Sequence, residues 1–355
     1  MGKKGRRARA RGAAPLSANP MVSVCTPTFN RRPFFEGLIK CYAAQTYDHA
    51  RMEWIIVDDG TDSVEDLVKS VPGVRYFRLD KKMSLGEKRN FMHSKCKGEV
   101  VVYMDDDDYY PPSRVSHAVS TLRANPKALC AGSSEMYTYF PQRDETWVFG
   151  PYGEKHCTAA TMAFRRELLT RTSYKNDAAI AEEKHFLKDY TIPFAQLDSI
   201  KSIVVIAHCH NTFDKTQLIK DGPNQFARQA HQPIADLIAD EEMREFYTDC
   251  VHSLLVEYHA GLPSNKPDVE KQFQEIRAKR QAQAEAAMRE SQRTGVLVEE
   301  NGERRELTAD EILDTLREQS QAIEALKARV EARDAQIASL RAQLSSTPAG
   351  VDANL

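Results

Sequence analysis

Between Met21 and Arg123 short apolar runs alternate with amphipathic stretches, and no other feature limits the fold as much. "MVSVCT", "WIIVDD", "VRYFRL" and "VVVYMD" are each apolar, short and bounded by turn or polar residues, as buried strands are. Between them, "PFFEGLIKCYAAQT" predicts a helix with Pro33 in its first turn, where a missing N–H costs nothing. "SLGEKRNFMHSKCKG" predicts a second helix, with Ser84 and Glu87 as a capping box and Gly98 as its stop. "PPSRVSHAVSTLRANP" predicts a third, halted before Pro126. Strand–helix alternation of this kind builds βαβ units and a mostly parallel sheet, whose sites lie beyond the carboxyl ends of the strands. The expected class is α/β, Rossmann-like, with flanking helices.

Three of the expected strands end in residues that carry chemistry: Thr26 to Arg31, Asp58 to Asp62, and Asp105 to Asp108. The last is the most demanding, because "VVYMDDDDYY" (Val101 to Tyr110) ends a buried strand with four consecutive carboxylates. Left unpaired there, they would repel one another and cost stability. If the segment stays extended, Asp105 and Asp107 share one face while Asp106 and Asp108 share the other. Paired carboxylates at a strand end suit a hard divalent ion, Mg²⁺ or Mn²⁺, completed by substrate phosphates. The spacing of an EF-hand loop is absent, and a solvated acidic loop is the competing reading. Together the three strand ends predict a nucleotide- or phosphate-handling crevice.

Over Met21 to Arg123 the order and spacing of these segments resemble the family 2 glycosyltransferases. Pro27, Thr28, Phe29, Asn30 and Arg31 match that family's first turn, and Asp58, Asp59, Gly60 and Thr61 its Asp-Asp-Gly-Ser turn. Arg89 and Asn90 match a helical Arg-Asn pair, and Asp105 to Asp108 match Asp-x-Asp-Asp. The resemblance implies a GT-A fold and a nucleotide-sugar donor, with UDP- and GDP-sugars left open. It implies that residues 27–31 wall the nucleobase and ribose, that Asp59 accepts a hydrogen bond from the base, and that Arg89 meets the base or diphosphate. Asp105 and Asp106 are expected beside the donor, and Asp107 as the direct ligand of Mn²⁺ or Mg²⁺, with Asp105 as a further metal candidate.

An inverting transfer to an acceptor hydroxyl also needs a general base. "AAIAEEKHFLKDY" lies where the family keeps it, and Glu183 aligns with the base while Glu182 is its neighbour. The family more often has Asp there, so both glutamates stand as candidates. In "IVVIAHCHNTFDK", His208 fits a family His-x-x-Asn-Thr setting for a metal-ligating histidine, and His210 is second choice. On an extended strand both would share a face. Trp147, Phe149 and Tyr152, near Gly150 and Gly153, form a candidate acceptor loop for a glycan or other hydroxyl compound, and "TAATMAFRREL" resembles the strand that backs the donor sugar.

The remaining features bound the rest of the chain. Lys and Arg number 49 against 51 Asp and Glu, so net charge points to no polyanionic partner. Residues 1–20 are expected to be a basic, disordered tail, and Lys3, Lys4, Arg6, Arg7, Arg9 and Arg11 suit it to anionic surfaces. The seven scattered cysteines resemble reduced thiols rather than a disulfide framework. The absence of a long apolar run or signal-like segment predicts a soluble, cytoplasmic protein, of a bacterial, eukaryotic or virus-infected cell. The catalytic domain is expected over 21–265, a helical coiled-coil region over 266–345 and a tail over 346–355. From Ile312, Leu316, Ile323, Leu326, Val330, Ile337, Leu340 and Leu344 keep a heptad seam, which predicts a homo-oligomer through 312–344, and Asn301-Gly302 marks a hairpin turn. A nucleotidyltransferase and a non-catalytic scaffold organised by the coiled coil are the alternative readings.

Overall fold

The computed structural model describes residues 15–212, 214–220, 224–293, 297–300 and 303–345. The basic residues of the N-terminal arm, the Asn301-Gly302 turn and the 346–355 tail lie outside them. Contacts divide the chain into two units, residues 1–275 and 276–355.

The first unit is built on strands β1 (Val22–Thr28), β2 (Met52–Asp58), β3 (Val74–Arg78), β4 (Val100–Tyr103), β5 (Cys130–Gly132), β6 (Met136–Phe140), β7 (Glu145–Phe149), β8 (Ala163–Arg165), β9 (Phe194–Gln196), β10 (Val204–Ile206) and β11 (Ala227–Gln229). A seven-stranded sheet has the order β3-β2-β1-β4-β8-β5-β9, and a smaller one the order β10-β6-β7-β11. β1 pairs parallel to both β2 and β4, and β2 to β3; β8 alone runs against its neighbours β4 and β5. This is the mixed α/β, mostly parallel architecture expected from the sequence. The chain goes outward from β1 to β2 and β3, then returns to the other side of β1 as β4. The strand order therefore reverses at β1, and a crevice opens beyond the carboxyl ends of β1 and β4.

The helices expected from the sequence are present as α1 (Phe35–Ala43), α3 (Leu85–Lys95) and α4 (Arg114–Ala124), with a short α2 (Glu65–Val68) between the first two. They cover the sheet because β1, β2 and β4 are buried along their whole length. Trp54 of β2 shows how the layers lock: Tyr42 of α1 stacks on it at 4.5 Å, and its Nε1 donates to Thr26 Oγ1 at 2.9 Å. Ser84 caps α3 by accepting from Glu87 N at 3.2 Å, as expected. Gly98 is not the stop. The helix ends at Lys95, and Gly98 instead passes against β1, where a Cβ would lie 2.5 Å from Ser23 N. Residues 15–20 lie against the domain: Ser17 Oγ donates to Glu99 at 2.5 Å, and Tyr47 donates to the Pro20 carbonyl at 2.6 Å.

The second unit contains the hairpin Leu297–Glu300 with Glu303–Glu306 and the helix Ala309–Ser345. Thr308 and Glu311 cap that helix reciprocally, the Thr308 amide donating to Glu311 at 2.8 Å and the Glu311 amide to Thr308 Oγ1 at 3.4 Å. Its Leu316, Ile323, Leu326, Val330 and Ile337 side chains are exposed within this chain. Among the described residues no helix is long and apolar enough to cross a membrane.

One buried cation ties β4 to β8 where the crevice begins. Arg114 of α4 is fully buried and donates through one amino group to the carbonyls of Tyr103 (3.2 Å), Thr161 (2.8 Å) and Met162 (2.9 Å). Arg114→Met, which keeps the apolar stem but strands these acceptors, is expected to lower unfolding free energy by about 3 kcal/mol. Chemical denaturation checks this, and a loss under about 1 kcal/mol would mean the carbonyls find other partners.

Candidate active site

At the carboxyl ends of β1 and β4 lies a cavity of about 160 Å³, lined by Pro27, Thr28, Phe29 and Arg31 from the first turn and by Asp105, Asp106 and Asp107 from the acidic run. Helix α3 adds Lys88 and Arg89. These residues are distant in sequence, and the strand-order reversal at β1 brings them together.

The acidic run does not continue the strand. β4 stops at Tyr103 and residues 106–108 turn, so the alternation expected of an extended segment is lost. Asp106 and Asp107 both face Arg31, at 3.7 Å and 3.6 Å. Asp105 faces Arg89 at 3.5 Å. Asp108 alone turns away, buried and accepting from Ile206 N at 3.1 Å. Burial pushes Asp105 and Asp108 above the usual carboxylate range, and pushes Asp106 up to about 7 with the help of Asp107. Burial would raise Asp107 too, but His208 and Arg31 outweigh it and hold that carboxyl low.

The two histidines separate for the same reason. β10 ends at Ile206 and the chain turns at Cys209 and His210, so His208 and His210 do not share a face. His208 Nε2 lies 3.3 Å from Asp107 Oδ2, and its ring packs on Phe34 at 4.7 Å. Burial lowers its pKa to about 4, so the imidazole is neutral near pH 7, with Nδ1 accepting from the His210 amide at 3.2 Å. The His210 ring lies against Tyr258 instead, while its carbonyl accepts from Arg31 at 2.6 Å.

Glu182 is buried and accepts from Arg89 Nε at 2.8 Å, which links it through that guanidinium to Asp105. Glu183, at the start of α5 (Glu183–Phe186), is only partly buried. Burial first, and then the neighbouring Glu182, push its carboxyl up to about 7. A partly buried carboxylate with that pKa is suited to take a proton near neutrality.

Two residues expected at the donor do not line the cavity. Asn30, with φ of 53°, accepts from the amides of Thr61 (2.6 Å) and Asp62 (3.0 Å), so it shapes the Asp-Asp-Gly turn from within. Asp59 lies beneath the cavity, its carboxylate held by Lys88 and by Met83 N at 2.7 Å. Of the aromatic loop, Phe149 is core and Trp147 donates to Glu145 at 3.0 Å, which leaves Tyr152 partly exposed beside His156 and Phe226. Sequence reasoning missed Lys88, although it sits beside Arg89, because nothing local marks a helical lysine as buried. It also missed Lys82 and Lys266, which line the same cavity.

The donor set fits a divalent ion that a substrate completes. Asp107 and the neutral His208 face each other, and Asp105 Oδ1 is buried without a hydrogen bond among the described residues. Among those residues no group of three or more His, Cys, Asp or Glu could hold a metal by itself. Mg²⁺ and Mn²⁺ characteristically take such partial protein shells together with phosphate oxygens.

The Lys88–Asp59 pair anchors the cavity floor, with both side chains nearly inaccessible. Lys88→Met strands a buried carboxylate and is expected to lower unfolding free energy by about 3 kcal/mol. Adding Asp59→Asn should return part of that loss in the same denaturation experiment, and strict additivity of the two changes would contradict a direct pair.

With this geometry in view, comparison with known proteins places the chain. The sequence model of the family described as "Glycosyl transferase family 2" matches residues 23–171. GalNAc(5)-diNAcBac-PP-undecaprenol beta-1,3-glucosyltransferase of Campylobacter jejuni is 34% identical over 110 residues, 29% of this chain and 33% of its own length. Glucosyl-dolichyl phosphate glucuronosyltransferase of Haloferax volcanii is 24% identical over 184 residues, 46% of this chain and 58% of its own. The chain thus spans less than two thirds of either relative. The mannosyltransferase PcManGT of Pyrobaculum calidifontis, solved in complex with GDP-Man and Mn²⁺, aligns over 78% of this chain and 83% of its own, at 16% identity and a TM-score of 0.45. Over residues 23–171, about two fifths of its length, the chain is similar to glycosyl transferase family 2.

Proposed function

We propose that this chain is a divalent-metal-dependent glycosyltransferase that moves a sugar from a nucleotide-sugar donor to an acceptor hydroxyl with inversion. The observation that carries this reading is the meeting of Asp107, which lines the cavity walled by the first turn and α3, with His208, 3.3 Å away at the edge of a neighbouring cavity. Pro27, Thr28 and Phe29 form the wall for base and ribose. Arg31, Lys88 and Arg89 bring positive charge to the diphosphate, and Asp107 and His208 would hold Mn²⁺ or Mg²⁺ beside it. When bound, the ion neutralises charge on the departing nucleoside diphosphate. Glu182 stays on Arg89 and orients its neighbour. Glu183 takes the acceptor's hydroxyl proton onto its carboxylate. The acceptor oxygen then bonds to the anomeric carbon as the bond to the diphosphate breaks on the opposite face.

Screening UDP-, GDP- and CMP-sugars for nucleotide release, with and without Mn²⁺, tests this reading. One donor should turn over in a metal-dependent way, with release lost in Asp107→Ala. Glu183→Gln should keep donor affinity and lose at least about a hundredfold in transfer. Because Glu183 acts as carboxylate and its pKa is raised to about 7, the rate should climb as pH rises through 7 and level off above it. Turnover of a nucleoside triphosphate instead would favour a nucleotidyltransferase. No nucleotide binding at all would favour the scaffold.

We infer further that helix Ala309–Ser345 associates with a second copy of itself. Support comes from the heptad spacing and from the exposure of Leu316, Ile323, Leu326, Val330 and Ile337 in the single chain. Sedimentation of the full chain should give an oligomer that Leu326→Glu with Val330→Glu converts to monomer. A wild-type monomer at micromolar concentration would refute it.

A further inference from the structure

The helix Pro267–Arg293 begins at the donor cavity rather than beyond it: Lys266, Asp268 and Val269 line the same space as Asp105, Asp106 and Asp107. Three contacts fix this start in place. Asp268 takes both oxygens to Lys82 Nζ, at 2.6 Å and 2.7 Å, and Lys82 in turn stands 5.4 Å above the Phe29 ring. One turn on, Gln272 Oε1 accepts from Ala179 N at 2.8 Å, and its Nε2 donates to the Asp177 carbonyl. Such a two-way amide clamp fixes a backbone segment in position and register, because donor and acceptor must both be met.

The clamped segment is the one that delivers Glu182 and Glu183. Its other side is held by α3. The Gly86 amide donates to the Ala178 carbonyl at 2.8 Å, and Asn90 Nδ2 donates to the Tyr174 carbonyl at 2.9 Å and to Asn176 Oδ1 at 2.8 Å. Gly86 is required for that approach, since a Cβ would meet the Lys175 carbonyl oxygen at 2.0 Å. Between the clamp and the glutamates, Ala181 has a φ of 52°, a left-handed conformation that a residue with a Cβ keeps only when its surroundings over-determine it. Gln272 and α3 are those surroundings. Lys266, by contrast, has no ion-pair or hydrogen-bond partner for its ammonium among the described residues, although it stands at a cavity that also holds Arg31, Lys82 and Lys88. Arg31, Lys82 and Lys88 each face a carboxylate, on Asp106 and Asp107, on Asp268 and on Asp59, whereas no carboxylate among the described residues comes within ion-pair distance of Lys266, and a bound anion would supply that partner.

We propose that the first two turns of this helix complete the active site. Lys266 supplies a cation to the diphosphate of the bound nucleotide, and Gln272 is a positioning residue for the segment that carries Glu182 and Glu183. Both roles rest on the glycosyltransferase reading of the cavity. Neither is catalytic: Lys266 acts on binding, and Gln272 acts through the glutamates.

The full chain is titrated calorimetrically with UDP and with GDP in the presence of Mn²⁺, kcat is measured by donor turnover, and amide exchange is followed over residues 174–183. Lys266→Met should weaken nucleotide binding by about tenfold, the loss of one charge-assisted contact, with the melting temperature unchanged. Gln272→Ala should leave nucleotide affinity within about twofold, lower kcat by about tenfold or more, and speed exchange of the Ala179 amide. Gln272→Glu, which still accepts from that amide, should restore part of both. Wild-type affinity in Lys266→Met, or unchanged exchange and kcat in Gln272→Ala, overturns the proposal. If the wild-type chain binds neither nucleotide, the glycosyltransferase reading and the role of Lys266 fall together, whereas exchange still decides whether Gln272 holds the segment.

Discussion

The site rests on the compensation of carboxylates that the fold takes out of water. Asp105, Asp106, Asp107, Asp108 and Glu182 lie close together in a low-dielectric region, and unpaired they would be driven to protonate or to pull the turn apart. Two guanidiniums offset part of this from opposite sides. Arg31 reaches Asp106 and Asp107 and anchors itself on the carbonyls of His210 and Gly261, at 2.6 Å and 3.1 Å. Arg89 bridges Asp105 and Glu182 and lies 4.3 Å from the Tyr103 ring centroid. Because each guanidinium is planar and always charged, it can serve several acceptors at once, as a lysine could not.

These two residues also define what is held to what. Through Arg31 the first turn is bonded to segments about 180 and 230 residues later in the chain. Through Arg89 the helix α3 is bonded to the glutamates and to the acidic turn. The carbonyls that receive Arg31 come from irregular segments, which would otherwise leave buried acceptors unpaired. The same interactions that relieve the charge therefore close the cavity, and a divalent ion beside Asp107 would add to this network rather than create it. Lys88 works one layer down, where its pairing with Asp59 removes that carboxylate from the cavity wall.

Much of this was legible in the sequence. The apolar runs at Val22–Thr28, Met52–Asp58 and Val100–Tyr103 are strands because each is short, apolar and closed by turn residues, and α3 begins at Ser84 for the capping reason its sequence displays. That the first turn and the acidic run would meet at one crevice was visible as motif and spacing. What misled was local extrapolation. Faces assigned to Asp105–Asp108 and to His208 and His210 assumed extended backbone, and both segments turn three residues after their strand ends. Gly98 looked like a helix stop because glycine commonly is one, yet its place is set by close contact with Ser23.

By itself, then, the sequence determined the α/β class, the strand and helix starts and the inventory of charged residues, because hydrophobic period, capping and charge are properties of neighbouring residues. Only the tertiary structure decided which carboxylate faces which cation, that Asn30 and Asp59 support the cavity instead of lining it, and that Lys266 lines it. Those relations join residues tens to hundreds of positions apart. They follow from a reversal of strand order and from turns whose direction is set by packing, which no local pattern encodes.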